Sequence, residues 1–472
     1  MMAMFMAAVE STIVATAMPT IIADLGGFHL FSWVFAAYLL PQAVTIPVYG
    51  RLADLYGRKR VLFVGSGIFL VGSALCGFAQ GMPSLVAFRA LQGLGAGSII
   101  PITTTIIGDI YDPTERVRVQ GYVSSMWGFA AVAGPLLGAF LVEQLNWATV
   151  FWINLPVGAV SILMLAATFH EKLQPRRHRI DYIGAVLLMG GTGALILALV
   201  QATELGREVV AVLLIGAALA LAALVYYEKR TVEPMMPLDL WRHRVIAAVN
   251  LGGLAIGAVM MATAAFLPTY VQGVMGLSAF GAGLVLAAMS LAWPIGSTLA
   301  GRLMIRSSYR MMAAIGGGAL VAGSVVLVML DPARGPYWAG VGAFFTGIGM
   351  GFCNITYIVS AQSSVDWSRR GIATSSTLFM RMLGQAIGSA IFGGILNSGL
   401  SARVPEAGDA VDRLMEPARR AGLGTEMIAR LADAVAFSLH QVFWVAGLLA
   451  AVSVAFAFIL PARLGPRHAQ KS

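Results

Sequence analysis

Apolar stretches of about twenty residues recur along the whole chain with short polar breaks between them. A run of that length is what an α-helix needs to cross the roughly 30 Å hydrocarbon core of a bilayer. Roughly fourteen such runs can be counted by this rule, at 3–23, 32–50, 61–80, 84–108, 120–142, 150–169, 181–200, 209–227, 245–270, 278–300, 311–330, 338–361, 371–397 and 436–460. Lipid offers no hydrogen bonds, so backbone crossing it must satisfy itself, which leaves helices for runs of this kind. The expectation is an all-α polytopic membrane protein with fourteen transmembrane helices. With 58% hydrophobic and only 11% charged residues, the chain lies far from soluble domains, in which about a quarter of residues are charged.

Charge placement tests the count. The formal net charge is +9, which in a soluble protein would suggest nucleic acid. Here the basic residues fall in alternate short loops: Arg51, Arg58, Lys59 and Arg60, then Arg116 and Arg118, then Lys172 to Arg179, then Lys229 to Arg244, then Arg302 to Arg310, then Arg369 and Arg370. That is the positive-inside pattern, and it argues against nucleic acid and for anionic lipid as the partner of these charges. Both termini are expected on the cytoplasmic side of the cytoplasmic membrane. The other short loops hold only Arg207 and Arg334, and one long outer loop spans about 398–435. The first apolar run has no basic leader or small-residue cleavage site before it, so it is expected to stay as a helix. Cys76 and Cys353 lie far apart in separate apolar runs, with neither disulfide nor metal spacing.

The chain also repeats itself. Gly93-Leu94-Gly95-Ala96-Gly97 with Asp112 returns as Gly347-Ile348-Gly349-Met350-Gly351 with Asp366. Gly121, Ser124, Ser125, Gly134 and Gly138 return as Gly371, Thr374, Ser375, Gly384 and Gly388, and Gly50-Arg51-Leu52 is echoed by Gly301-Arg302-Leu303. Two pseudo-symmetric six-helix bundles follow from this register, with helices 7 and 8 as an inserted pair. The expected boundaries are 1–170 for the first bundle, 171–243 for the linkers and inserted pair, 244–462 for the second bundle, and 463–472 for a cytoplasmic tail.

Six stretches carry a family resemblance. Gly50-Arg-Leu-Ala-Asp-Leu-Tyr-Gly-Arg-Lys-Arg60 resembles the loop between the second and third helices of the major facilitator superfamily, with Gly50 and Gly57 expected to allow a tight reversal. Glu10 through Pro19 resembles the acidic first-helix motif of the fourteen-helix drug:proton antiporter branch, where aspartate is more usual. Arg89-Ala-Leu-Gln-Gly93 resembles the superfamily's buried-arginine motif, and Gly128 through Gly134-Pro135 to Gly138 its antiporter motif. Leu267 to Gln272 and Arg381-Met-Leu-Gly384 resemble stretches of the second half, with Gln385 where a glycine often stands. The resemblance implies the major facilitator fold and proton-coupled export of lipophilic, drug-like compounds by alternating access, acting as a monomer, without cofactor or metal. Export of an endogenous lipid or metabolite is the alternative. A membrane enzyme or channel is the reading from another class. Against it, no G-x-x-x-x-G-K-[ST] phosphate loop is present, and His170-Glu171 is not followed by a second histidine one turn on.

Individual residues carry further expectations. An ionised side chain within a span costs on the order of 3 kcal/mol unless it faces a partner or water, so Glu10 is expected to face a cavity and serve as proton carrier, with Arg89 tuning it. A proton crossing 100 mV supplies about 2.3 kcal/mol, enough for a gradient of tens-fold. Asp54, Arg58 and Asp112 are expected to form a cytoplasmic latch, with Asp54 also placed to cap a helix start. Gly134, Pro135 and Gly138 are expected to meet the second bundle, with Gly384 and Gly388 opposite. Tyr38, Gln42, Trp127, Asn250, Tyr270, Gln272, Asn354, Tyr357, Arg381 and Gln385 are candidates for a central substrate cavity, alongside Phe266 and Trp293. Of the aromatics, fewer than half are expected to touch substrate.

Overall fold

The computed structural model describes residues 1–110, 113–169, 171, 181–200, 205–231, 239–304, 307–365, 370–405, 410, 414, 420 and 424–460. Among these residues the chain is helical with no strand. Fourteen long helices follow in order: α1 (Met2–Leu25), α2 (Phe31–Tyr56), α3 (Arg58–Gly77), α4 (Met82–Ile110), α5 (Pro113–Gln144), α6 (Thr149–Thr168), α7 (Tyr182–Val200), α8 (Arg207–Glu228), α9 (Arg244–Val274), α10 (Ala279–Met304), α11 (Tyr309–Val328), α12 (Tyr337–Ser363), α13 (Arg370–Arg403) and α14 (Thr425–Ala457). Thirteen are long and apolar enough, over described residues, to cross a membrane. The remaining one, α5, is 32 residues long and packs along α1 and α10.

Boundaries differ from the expected spans where a helix outruns its apolar core. α14 begins at Thr425 rather than near 436, because Glu426, Arg430 and Asp433 form a polar first third that needs no lipid. The long loop shrinks accordingly. α9 is interrupted by two π-helical turns, Ala262–Phe266 and Tyr270–Val274, a local widening that sequence periodicity does not reveal.

Helix packing is set by small residues. A Cβ on Gly93 would lie 2.2 Å from the Tyr38 carbonyl oxygen, and one on Gly347 would lie 2.3 Å from that of Met289. So α4 meets α2 as α12 meets α10. Gly95 against the Gly65 carbonyl has its counterpart in Gly349 against that of Gly316, which joins α3 to α4 and α11 to α12 in the same way.

The α2–α3 turn corrects one expectation. Gly50 lies inside α2, and Gly57 alone makes the reversal, at φ 93°. The start of α3 is capped from far along the chain, while the Asp54 side chain lies outside the described residues. Glu171 caps α3 from beyond α6: its two carboxylate oxygens accept the Arg58 N–H at 2.8 Å and the Lys59 N–H at 3.0 Å. Lys59 Nζ in turn donates to the Ala166 and Phe169 carbonyls at the end of α6.

The two sets of helices, α1–α6 and α9–α14, touch along α5 with α10 and along α2 with α13, while α7 leans on both α2 and α13. Hydrogen bonds between described residues of the two sets cluster at the end that carries the α1–α2 turn. Ser389 Oγ donates to the Ser32 carbonyl at 2.8 Å, Asn397 Nδ2 to the His29 carbonyl at 2.7 Å, and Gln272 Nε2 to the Thr16 carbonyl at 3.2 Å. The Phe280 N–H donates to Glu143 Oε1 at 2.8 Å. Phe31, Phe266 and Phe392 stack edge-on at 5.0 and 5.8 Å between centroids and close that end with apolar surface.

Candidate functional site

α1 carries one buried carboxyl group; α4 and α6 supply its partners, and α2 and α3 hold those partners in turn. Glu10 is 1% exposed. Arg89 of α4 pairs with its Oε1 through Nη1, and Asn154 of α6 donates Nδ2 to its Oε2 at 2.6 Å. The same Nη1 donates to Gln92 Oε1 at 2.5 Å, one turn further along α4. Gln92 Nε2 then donates to Ser73 Oγ of α3 at 2.6 Å. Arg89 Nε donates to the Val34 carbonyl of α2 at 3.2 Å, and its guanidinium lies 4.1 Å from the centre of the Tyr38 ring. A cation over an aromatic face, bonded on two edges, is held in one orientation. The Tyr38 hydroxyl itself is buried, with no hydrogen-bond partner among the described residues.

This arrangement revises the expected place of Glu10. The carboxyl is not open to a chamber between the halves; it is enclosed within the first set of helices. The reason is chemical: Arg89 keeps its charge at any physiological pH, and a buried guanidinium captures the nearest carboxylate. Sequence reasoning missed Asn154, Gln92 and Ser73. An asparagine at the start of an apolar run was a usable signal, because a buried amide needs a partner.

The glycine motif also sits elsewhere than expected. Cβ atoms on Gly134 and Gly138 would lie 2.0 Å from Thr12 Oγ1 and 2.5 Å from Thr16 Oγ1, so both glycines face α1 and not the second set. Gly384 and Gly388 likewise face α9, at Leu254 and Ala258. What meets the second set is the neighbouring face of α5: the Pro135 carbonyl and Ala139 lie against Gly283 of α10.

Of the latch residues, Arg58 lies 3.8 Å from Glu171. The Asp54 side chain and Asp112 fall outside the described residues, as does the Trp127 side chain. The cavity candidates divide. Tyr38, Gln42, Asn250, Tyr270, Gln272 and Tyr357 are buried in this state. Asn250 bonds Ser376 and Thr377, the Tyr270 hydroxyl bonds the Leu330 carbonyl, and the Tyr357 hydroxyl bonds Ser453. Phe266 is fully buried in the seal. Asn354, Arg381 and Gln385 are partly exposed, as is Trp293, and Arg381 Nη1 donates to Asn354 Oδ1 at 2.6 Å.

Comparison with known proteins settles the family. Residues 1–389 match the profile described as Major Facilitator Superfamily. The chain belongs to the Major Facilitator Superfamily. Among this member's curated relatives, "Multidrug resistance protein 3" of Bacillus subtilis (strain 168) is 33% identical, the match covering 97% of this chain and 93% of the relative. "Multidrug transporter protein MdtP" of the same strain is 32% identical over 84% of this chain and 74% of its own length. A crystal structure of an auto-inhibited POT-family peptide transporter superposes with a TM-score of 0.67 at 16% identity, covering 99% of this chain and 98% of that one. The superfamily membership and the run of membrane-length helices make this a multi-pass membrane protein of a transporter family.

Proposed function

We propose that this facilitator is a proton-coupled antiporter that exports lipophilic, drug-like compounds across the cytoplasmic membrane, with Glu10 as proton carrier. The observation that carries the reading is the double role of α1. It holds the buried Glu10 carboxyl and, six residues on, the Thr16 carbonyl that accepts Gln272 from the other half, about 9 Å away along the helix at 1.5 Å per residue. The proline inside α1, Pro19, removes a helix hydrogen bond close to that contact and leaves the segment pliable.

The mechanism follows from these contacts. With sides assigned by the positive-inside pattern, both termini are cytoplasmic and the sealed end is external. A proton arriving at Glu10 cancels the charge that Arg89 Nη1 and Asn154 Nδ2 hold, so the tie of α1 to α4 and α6 weakens. α1 is then free to move against α9, and the external contacts at Gln272, Ser389 and Phe266 exchange for cytoplasmic ones, Arg58 among them. Exposed ion pairs contribute only about 0–1 kcal/mol, and a two-state equilibrium near balance needs no more. The working body is a monomer with halves 1–170 and 244–462, an inserted segment 171–243 and a tail 463–472. It is a carrier and not an enzyme, and it uses the proton gradient in place of a cofactor.

The names of the relatives support drugs as substrates. The test is purified protein in liposomes with an imposed pH gradient, offered lipophilic cations, neutral drugs and lipids. Proton release coupled to movement of a drug supports the proposal. Coupling to lipids alone moves the assignment to lipid export, and uptake unaffected by the gradient overturns it.

A further inference from the structure

Arg381 stands apart from the other membrane-depth cation. It lies eleven residues into α13 (Arg370–Arg403), about 16 Å along the axis at 1.5 Å per residue. Arg89 has Glu10; among the described residues Arg381 has no such partner. The five helices α9 to α13 contain no aspartate or glutamate at all. The acids of α14, Glu426 and Asp433, lie in its first third, at the sealed end. Glu10 itself is engaged by Arg89 and Asn154. A guanidinium cannot shed its charge, and a buried one without a counter-ion is costly.

The unused edge of this side chain is specific. Nη1 is taken by Asn354 Oδ1. Among the described residues the buried Nε has no hydrogen-bond partner, and Nη2 makes no hydrogen bond either. Nε–H and the adjacent Nη2–H form the side-on fork whose spacing fits the two oxygens of one carboxylate. α13 is flanked by α2, α7, α9, α12 and α14, and Arg381, Asn354 and Gln385 are each partly exposed.

We infer that Arg381, its fork oriented by Asn354, receives the carboxylate of lipophilic monoanionic compounds carried by this protein. The inference deepens the export reading, on which it rests for the notion that small lipophilic compounds enter here, and it narrows them to a class that brings its own negative charge. Asn354 turns the guanidinium by holding Nη1, and the incoming carboxylate neutralises the charge that no residue of α9 to α13 can.

Equilibrium binding tests this without any pH gradient, so the result stands or falls separately from proton coupling and direction. Purified protein in detergent is titrated with the fluorescent acid 1-pyrenebutyrate and with its methyl ester, in low and high chloride. The expected result is a preference for the acid of about tenfold or more, the size of a desolvated charge-assisted pair. Arg381→Gln brings acid affinity down to that of the ester, and Arg381→Lys, which keeps charge but not the fork, falls between. Gln385→Glu, one turn along α13, supplies a built-in counter-ion and also lowers acid affinity more than ester affinity, which serves if Arg381→Gln fails to fold. Equal affinity for acid and ester in the wild type overturns the inference. So does an unchanged acid preference in folded Gln385→Glu, and so does chloride-dependent stability tied to Arg381 with no acid preference, which would mark a bare inorganic-anion site.

Discussion

Removing either partner of the Glu10–Arg89 pair unbalances the first half of the protein, but the two removals are not equivalent. Breaking a buried ion pair from one side costs about 3–5 kcal/mol because the remaining charge is stranded. After Glu10→Gln the stranded group is a guanidinium. It keeps Gln92 Oε1 at 2.5 Å, the Val34 carbonyl at 3.2 Å and the Tyr38 ring at 4.1 Å, which places the loss near the low end, about 3 kcal/mol. It cannot neutralise itself, so this loss is independent of pH. After Arg89→Gln the stranded group is a carboxyl, which can take up a proton. Holding a glutamate neutral costs about 3.7 kcal/mol at pH 7 and about 1.6 kcal/mol at pH 5.5 relative to its ordinary ionisation in water. The sign is therefore fixed: the stability of Arg89→Gln relative to wild type improves as pH falls and declines as pH rises, while that of Glu10→Gln stays flat. The double variant Glu10→Gln/Arg89→Gln strands no charge and recovers part of both losses. Thermal unfolding of the four detergent-purified proteins, followed by tryptophan fluorescence at pH 5.5, 7 and 8.5, measures all of this. Two single variants with equal, pH-independent losses, or a double variant as unstable as the sum, would refute the reasoning.

Four other outcomes are expected. Gly134→Val places a Cβ 2.0 Å from Thr12 Oγ1 within one half and lowers the yield of folded protein. Gly283→Val meets the Pro135 carbonyl between halves, so it folds but shifts the conformational balance away from this state, read by cysteine labelling at the external end. Glu171→Gln weakens the α3 cap and loses about 1 kcal/mol of stability, seen as a lower unfolding midpoint. Phe266→Ala removes the ring between Phe31 and Phe392, and a probe cysteine at Thr16 then reacts faster with an external, membrane-impermeant thiol reagent.

The helix count was legible because membrane length and loop charge are properties of local sequence, and the chain repeats at residues such as Gly93 and Gly347 that do similar packing work. Glu10 and Arg89 were legible as singular charges in apolar runs. Their pairing was readable only as a possibility, since nothing local says that α1 and α4 meet at that height. The Glu171 cap is a contact across more than a hundred positions, invisible to any pattern within the α2–α3 turn. The glycine motif misled for a related reason: Gly134 signals a close approach but not to which helix, and the face that meets α10 is offered by the next residue's carbonyl. Asn354 and Arg381 were recognisable as polar groups at membrane depth. That the fork of Arg381 is left half empty follows from the absence of acids across five helices, which matters only once those helices are known to surround it.

The central claim is that a proton at Glu10 exchanges for substrate. Liposomes holding wild-type protein or Glu10→Gln, loaded with a pH-sensitive dye and given a transported drug on the cytoplasmic face, test it most directly. The account predicts drug-dependent proton movement in the wild type, and none above empty liposomes for Glu10→Gln even though the variant still binds the drug. Equal proton movement in both would contradict it.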